Sequence, residues 1–264
     1  MKISIIGAGM VGSHSAFLLA KYNVASEIVL VDVDENRAKA EALDIAQSMV
    51  NVGNYRVKGG KIEKIKESDI VVITAGVKQR VGEKREELKE RNEEIMSEIV
   101  ENIIKYAPKS VVVVATNPLD EMVEFVKNKL CGEENLVFGT GTELDSYRFR
   151  YFLGKYLGVA PKSIRADVWG EHNEKAKFLW DGVFVGGERL EDFVKSRGIE
   201  FNDEEKKKIE FKVINSAFEI IKGKGATYFA ISCVILEILK AICDDERVVF
   251  NLSCGKEGAK SFVI

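Results

Sequence analysis

Residues 1–12 read MKISIIGAGMVG. A short β-branched run, KISII, gives way directly to Gly7-Ala8-Gly9-Met10-Val11-Gly12, and VGSHSAFLLAKY continues with helical character. The pattern is G-x-G-x-x-G where a strand meets a helix. By itself such a match is weak, because glycine is common in turns. In this context each glycine has a task. The first permits the tight turn, the second lets backbone approach a pyrophosphate, and the third lets helix and strand pack closely. The helix N-terminus behind them offers free N–H groups and positive potential to phosphates. The plainer alternative is a doubly wound protein with a glycine turn and no dinucleotide.

Working outward, EIVLVDV reads as a second strand and closes on Asp32, about 20 residues after Gly12, where a ribose-binding carboxylate belongs. A carboxylate there repels a 2′-phosphate, so NAD is favoured over NADP. A helix follows from Glu35 to about residue 50. DIVVITAG and SVVVVATN are further apolar runs of strand length, and ENLVFGT is another. Near-continuous apolar strands separated by helices predict a parallel sheet covered on both faces. Gly76 and Ala115, in the tails of the first two of these runs, join the expected cofactor set. Asn117 ends its run just before Pro118, which is placed at the first position of the next helix. Ligands of such sheets bind beyond the carboxyl ends of the strands, so the Asn117 amide can reach both cofactor and substrate. Turn chemistry before a proline is the alternative.

Past about residue 141 the pattern changes. IRADVWG and FLWDGVFVGG read as strands, with a turn near Asp181-Gly182. Asn202 starts a long helix, with Glu205 three residues on as a capping box. Ile214, Ala217, Phe218 and Ile221 form its apolar stripe. A helix over 227–243 and the strand-like runs RVVFNLS and AKSFVI complete the chain. The division expected is a dinucleotide-binding domain over 1–140 and a smaller α+β substrate domain over 141–264.

The 264 residues are 46% hydrophobic and 31% charged, with a net charge of −3, a balance that can bury a sizeable core and lacks the basic block of a nucleic-acid binder. GEKREELKERNEE and NDEEKKKIE alternate sign at helical spacing and read as solvated helix faces. No secretion signal or membrane span is expected, and Cys131, Cys233, Cys243 and Cys254 have no metal-ligand spacing. No metal is expected, and the location expected is the cytoplasm. Abundant Lys and Glu beside only two Gln fit a warm-living source.

WGEHNEK, 169–175, holds one of only two histidines. A lone histidine is more often structural than catalytic. Its neighbours change that weighting. GAGMVGS, LVDVDE, ITAGVKQRVGEKR, ATNPLD, GTGTELDSYRFR, GEH and KGAT occur in the order and spacing of the L-lactate and malate dehydrogenases, and the chain resembles that family from residue 1 to about 243.

The resemblance implies a Rossmann fold, NAD as cofactor, a short 2-oxo or 2-hydroxy acid as substrate, and a role for each site residue. His172 is the proton exchanger, and Asp145 holds its second N–H. Arg148, one helical turn after Asp145, takes the substrate carboxylate. Arg85, in a stretch resembling the family's mobile lid, polarises the C–O bond. Asn92 meets the cofactor and Thr227 borders the substrate side chain. His14 matches no catalytic motif and is expected to be structural.

The chain also departs from the family. Asn173, Glu174 and Lys175 replace the residues that usually follow the histidine, and Asn173 is expected to keep the backbone through its tolerance of φ > 0. Val81 stands where the lid usually has proline. The family continues through a further strand and helix, so a second subunit of a homo-dimer or homo-tetramer is expected to cover that surface. Gln79 occupies the lid position that selects the substrate. A neutral side chain there favours pyruvate and lactate, and a one-residue shift bringing in Arg80 would favour malate. A dinucleotide-binding protein without turnover, and an enzyme for a larger substrate, are the rival readings.

Overall fold

The computed structural model describes residues 1–53, 56–77, 85–131, 134–173 and 175–264. The first half alternates as the sequence predicts. Strand β1 (Lys2–Ile6) leads to helix α1 (Met10–Lys21), β2 (Glu27–Val31) to α2 (Glu35–Ser48), and β3 (Arg56–Gly60) to β4 (Ile70–Ile73). Then come α3 (Arg85–Tyr106), β5 (Val111–Val114), α4 (Leu119–Lys129) and β6 (Val137–Gly139). Pro118 caps α4 from one residue before its first turn, not from within it.

The second half opens with α5 (Glu143–Leu157) and the short strands β7 (Ile164–Arg165), β8 (Val168–Trp169), β9 (Lys177–Phe178), β10 (Phe184–Val185) and β11 (Glu188–Arg189). Helices α6 (Leu190–Ser196), α7 (Asp203–Lys224) and α8 (Phe229–Asp244) follow, and β12 (Val249–Ser253) and β13 (Ala259–Val263) come last.

The main sheet runs β13-β12-β6-β5-β4-β1-β2-β3. From β3 to β6 all pairs are parallel. The order reverses between β1 and β4, which opens a crevice where their carboxyl ends lie side by side: Ile6 pairs Ile73, and Ile73 pairs Val114. Side-chain alternation buries both faces. Ile3, Ile5, Ile70, Val72 and Val113 face α1, α2 and α8, whereas Ile6, Val71, Ile73, Val112 and Val114 face α3 and α4. A separate cluster around Phe149, Val183 and Phe193 holds α5, α6 and α7 to the small strands.

The final hairpin β12–β13 joins the main sheet through an antiparallel bridge of Ser253 to Gly139. The stripe expected on α7 faces outward: Ile214, Phe218 and Ile221 are exposed, and Ile209 and Val213 make the buried contact instead. The helix carries apolar residues on more than one side, and only the Ile209–Val213 side meets the cluster around Phe149. Asn202 caps it by accepting from the N–H groups of Glu204 and Glu205, while the Glu205 carboxylate pairs with Lys208 and does not close a capping box.

Candidate active site

The glycine loop sits at the head of the crevice. Gly7 has φ +105°, and a Cβ there would lie 2.6 Å from the Ala75 nitrogen. A Cβ on Gly12 would lie 1.9 Å from the Gly7 oxygen. These two glycines are required by the protein itself. Gly9 differs, because a Cβ there meets nothing within 4 Å. It faces open space at the start of α1, whose N-terminus has no side-chain cap. The N–H groups of Met10, Val11 and Gly12 at that end suit an anion. Asp32 lies beside them, accepting from the Ala8 N–H at 2.7 Å and the Asp34 N–H at 3.0 Å. An open glycine, a bare helix N-terminus and an adjacent carboxylate fit the pyrophosphate and ribose of NAD.

Gly76, Ala115 and Asn117 line the crevice beyond β4 and β5. A Cβ on Gly76 would sit 2.5 Å from Thr116 Cγ2. Asn92 is fully buried, its Oδ1 accepting from the Val77 N–H at 2.9 Å and its Nδ2 donating to the Asn117 oxygen at 2.8 Å. Its amide therefore braces the two strand ends.

Across the crevice, α5 presents Asp145 and Arg148 on one face, three residues apart. Asp145 Oδ2 lies 2.6 Å from His172 Nδ1, and Asp145 Oδ1 accepts from Arg148 Nη1 at 3.2 Å. A carboxylate only accepts, so Nδ1 carries the proton and Nε2 is left for other chemistry. Asp145 is almost wholly buried, while the imidazole is 26% exposed. Burial pulls the imidazole pKa down, but the charge and hydrogen bond of Asp145 outweigh it and the net direction is up. Asp120 adds to the rise, and Arg148 opposes it.

Asn173 makes local hydrogen bonds in the loop bearing His172. Asn173 does not take positive φ. Its Oδ1 accepts from the Lys175 N–H at 2.8 Å, and its Nδ2 donates to Glu171 Oε2 at 2.7 Å. Local side-chain bonds hold the turn that a glycine would otherwise shape. Thr227 is half-buried between α7 and α8. His14 Nδ1 donates to the Met10 carbonyl oxygen, and the ring packs on Tyr228 and Phe229. Gln79, Arg80, Val81, Glu174 and the side chain of Arg85 lie outside the described residues.

Sequence reasoning missed Asp120. It is buried in the first turn of α4, accepts from the His172 N–H at 2.9 Å and from the Ser253 hydroxyl at 2.5 Å. Burial raises its carboxyl above the usual range, and the hydrogen bonds from Ser253 and the His172 backbone only partly offset this. Its place in ATNPLD, just beyond a strand end, was the available signal.

A parallel sheet in this order, entered through a glycine turn at its switch point, defines a dinucleotide-binding enzyme. The family model for the NAD binding domain of lactate/malate dehydrogenase matches residues 1–139, and the model for its alpha/beta C-terminal domain matches 142–263. The chain belongs to the lactate/malate dehydrogenase family, and it is an NAD-binding oxidoreductase. It is 40% identical to the L-lactate dehydrogenase of Allorhizobium ampelinum and 40% identical to that of Thermus aquaticus. Each match covers 96% of this chain and 82% of the relative. Among solved structures it superposes on a minor L-lactate dehydrogenase from Enterococcus mundtii with TM-score 0.92 at 32% identity, covering 99% of this chain and 86% of that one. It superposes on the malate dehydrogenase of Cryptosporidium parvum with TM-score 0.91 at 30% identity, covering 100% and 87%.

Proposed function

We propose that this protein interconverts a short 2-oxo acid and its L-2-hydroxy acid, with pyruvate and lactate favoured over oxaloacetate and malate. The observation that carries this is the single carboxylate, Asp145, holding both His172 and Arg148 at the mouth of the crevice. NAD(H), when bound, supplies or accepts the hydride. Gly7, Ala8, Gly9, Met10, Val11, Gly12 and Asp32 hold its phosphates and ribose, and Gly76, Ala115 and Asn117 line its path, with Asn92 bracing them.

His172 holds a proton at Nε2 and passes it to the substrate oxygen as the carbonyl is reduced; in oxidation it takes the proton back. Asp145 keeps the tautomer and stabilises the imidazolium between these steps. Arg148 turns its fork to the substrate carboxylate, for which bidentate geometry is suited. Arg85 polarises the C–O bond, Thr227 bounds the substrate side chain, and Gln79 meets the C3 substituent. A neutral glutamine leaves the second carboxylate of oxaloacetate unpaired in a closed site, which disfavours it. The domains are 1–140 for the dinucleotide and 141–264 for the substrate.

The protein is read as a cytoplasmic homo-dimer or homo-tetramer, from a warm-living source, with no nucleic-acid or membrane partner. The outward apolar residues Phe211 and Phe218, 67% and 65% exposed, support self-association. Among the described residues no helix is long and apolar enough to cross a membrane. Sedimentation at micromolar concentration tests assembly, and an active monomer would contradict it. NADH oxidation with pyruvate and with oxaloacetate tests the activity. Turnover of neither would overturn it.

A further inference from the structure

The loop that carries His172 is fastened both to the final hairpin and to α4. Gly170 and Ala259 exchange two backbone hydrogen bonds, at 3.0 and 2.7 Å, so the loop begins as an extension of the final hairpin. Gly258, at φ +68°, lies so close that a Cβ would fall 2.4 Å from the Gly170 carbonyl carbon. Trp169 Nε1 donates to Asn251 Oδ1 at 2.9 Å. Ser253, fully buried, donates to one oxygen of Asp120, and the other oxygen receives the backbone N–H of His172.

We propose that Asp120, oriented by Ser253 of the β12–β13 hairpin, is a positioning residue that seats the His172 imidazole against Asp145. The proposal rests on His172 being the proton exchanger. The histidine has two anchors on different helices: its backbone on Asp120 of α4 and its ring on Asp145 of α5. Without the Asp120 bond, the segment beyond Gly170 can shift while the Nδ1 bond is kept, and Nε2 moves with it. A misplacement of about 1 Å in a reacting group can cost on the order of 10²-fold in rate. Asp120 has the stiffness the task needs, because both its oxygens are engaged by hydrogen bonds, one of them from the buried Ser253 hydroxyl. Among the described residues, the charged groups facing the imidazole are Asp145 and Arg148 from α5 and Asp120 from α4, while the hairpin contributes the uncharged Ser253 hydroxyl behind Asp120. Glu171 and Lys175, on the loop itself, pair with each other.

The test is Asp120→Asn and Ser253→Ala in the full chain, read by turnover, NADH affinity and proton NMR. His14 is the only other imidazole, so a His14→Ala sample identifies the His172 signal. Asp120→Asn should lower kcat by about tenfold or more while NADH Kd stays within about twofold. The His172 titration midpoint should move to lower pH, because a negative neighbour is lost. Ser253→Ala should act in the same direction with a smaller loss, about threefold in kcat. Folded variants with wild-type kcat and an unmoved His172 signal would overturn the proposal. Should Asp120→Asn fail to fold, Ser253→Ala decides alone. If the wild-type protein turns over neither pyruvate nor oxaloacetate, the dehydrogenase reading fails, while the NMR shift still judges the positioning.

Discussion

Asp145 divides its two oxygens between His172 Nδ1, at 2.6 Å, and Arg148 Nη1, at 3.2 Å. One buried carboxylate thereby fixes an imidazole and a guanidinium relative to each other. It also sets a direction in pH, since it lifts the His172 pKa above its ordinary value despite burial.

Reduction needs the imidazolium, so kcat/KM for the 2-oxo acid should hold through the ordinary histidine range and fall as pH rises through the raised value. Oxidation needs the neutral ring and should rise over the same interval. In stability the sign follows: the pairing contributes in full below about 6.5, the unfolded value, and is lost as pH rises through the folded one. Asp145→Asn should move the kinetic midpoint down. A midpoint that stays put in that variant would show that Asp145 does not tune the histidine.

Gly9→Ala and Gly12→Ala should separate binding from folding. A Cβ at Gly9 meets no protein atom within 4 Å, whereas one at Gly12 strikes the Gly7 oxygen at 1.9 Å. Gly9→Ala should keep the wild-type Tm and weaken NADH binding by about tenfold or more, through obstruction of the phosphate approach. Gly12→Ala should lower Tm outright, by crowding α1 off the loop. Unchanged NADH affinity in Gly9→Ala would remove the pyrophosphate from this loop.

Asp32 holds the Ala8 N–H as well as being the proposed ribose carboxylate. Asp32→Ser should therefore narrow the preference for NADH over NADPH and also raise the KM for NADH. A wild-type kcat/KM higher for NADPH than for NADH contradicts the assignment.

The substrate choice is tested at positions 79 and 80. Gln79→Arg should shift the ratio of kcat/KM toward oxaloacetate by tenfold or more, about 1.4 kcal/mol. If Arg80→Gln moves the ratio and Gln79→Arg does not, Arg80 is the selecting residue.

What the sequence made legible was local. The glycine spacing, the strand-length apolar runs and Asp145 three residues before Arg148 each lie within a short window, and each predicted its element. The outward face of α7 was not legible, because Ile214, Phe218 and Ile221 satisfy helical periodicity as well as Ile209 and Val213 do. Only the position of α5 decides between them. Asp120 was missed for a related reason. Its partners, His172 and Ser253, are 52 and 133 residues away, joined to it by the antiparallel return of β12 beside β6. Asn173 shows the reverse case: its departure from glycine was visible, but the remedy was a side-chain bond to the Lys175 N–H rather than positive φ.

The central claim is that His172 exchanges the substrate proton in an NAD-linked reduction of a 2-oxo acid. Its most direct test is the rate of NADH oxidation with pyruvate and with oxaloacetate for wild type and His172→Ala, beside NADH binding to each. The account predicts turnover of at least one acid by the wild type, a loss of roughly 10²–10⁴-fold in kcat on substitution, and nearly unchanged NADH affinity. Near-normal turnover by His172→Ala would contradict it.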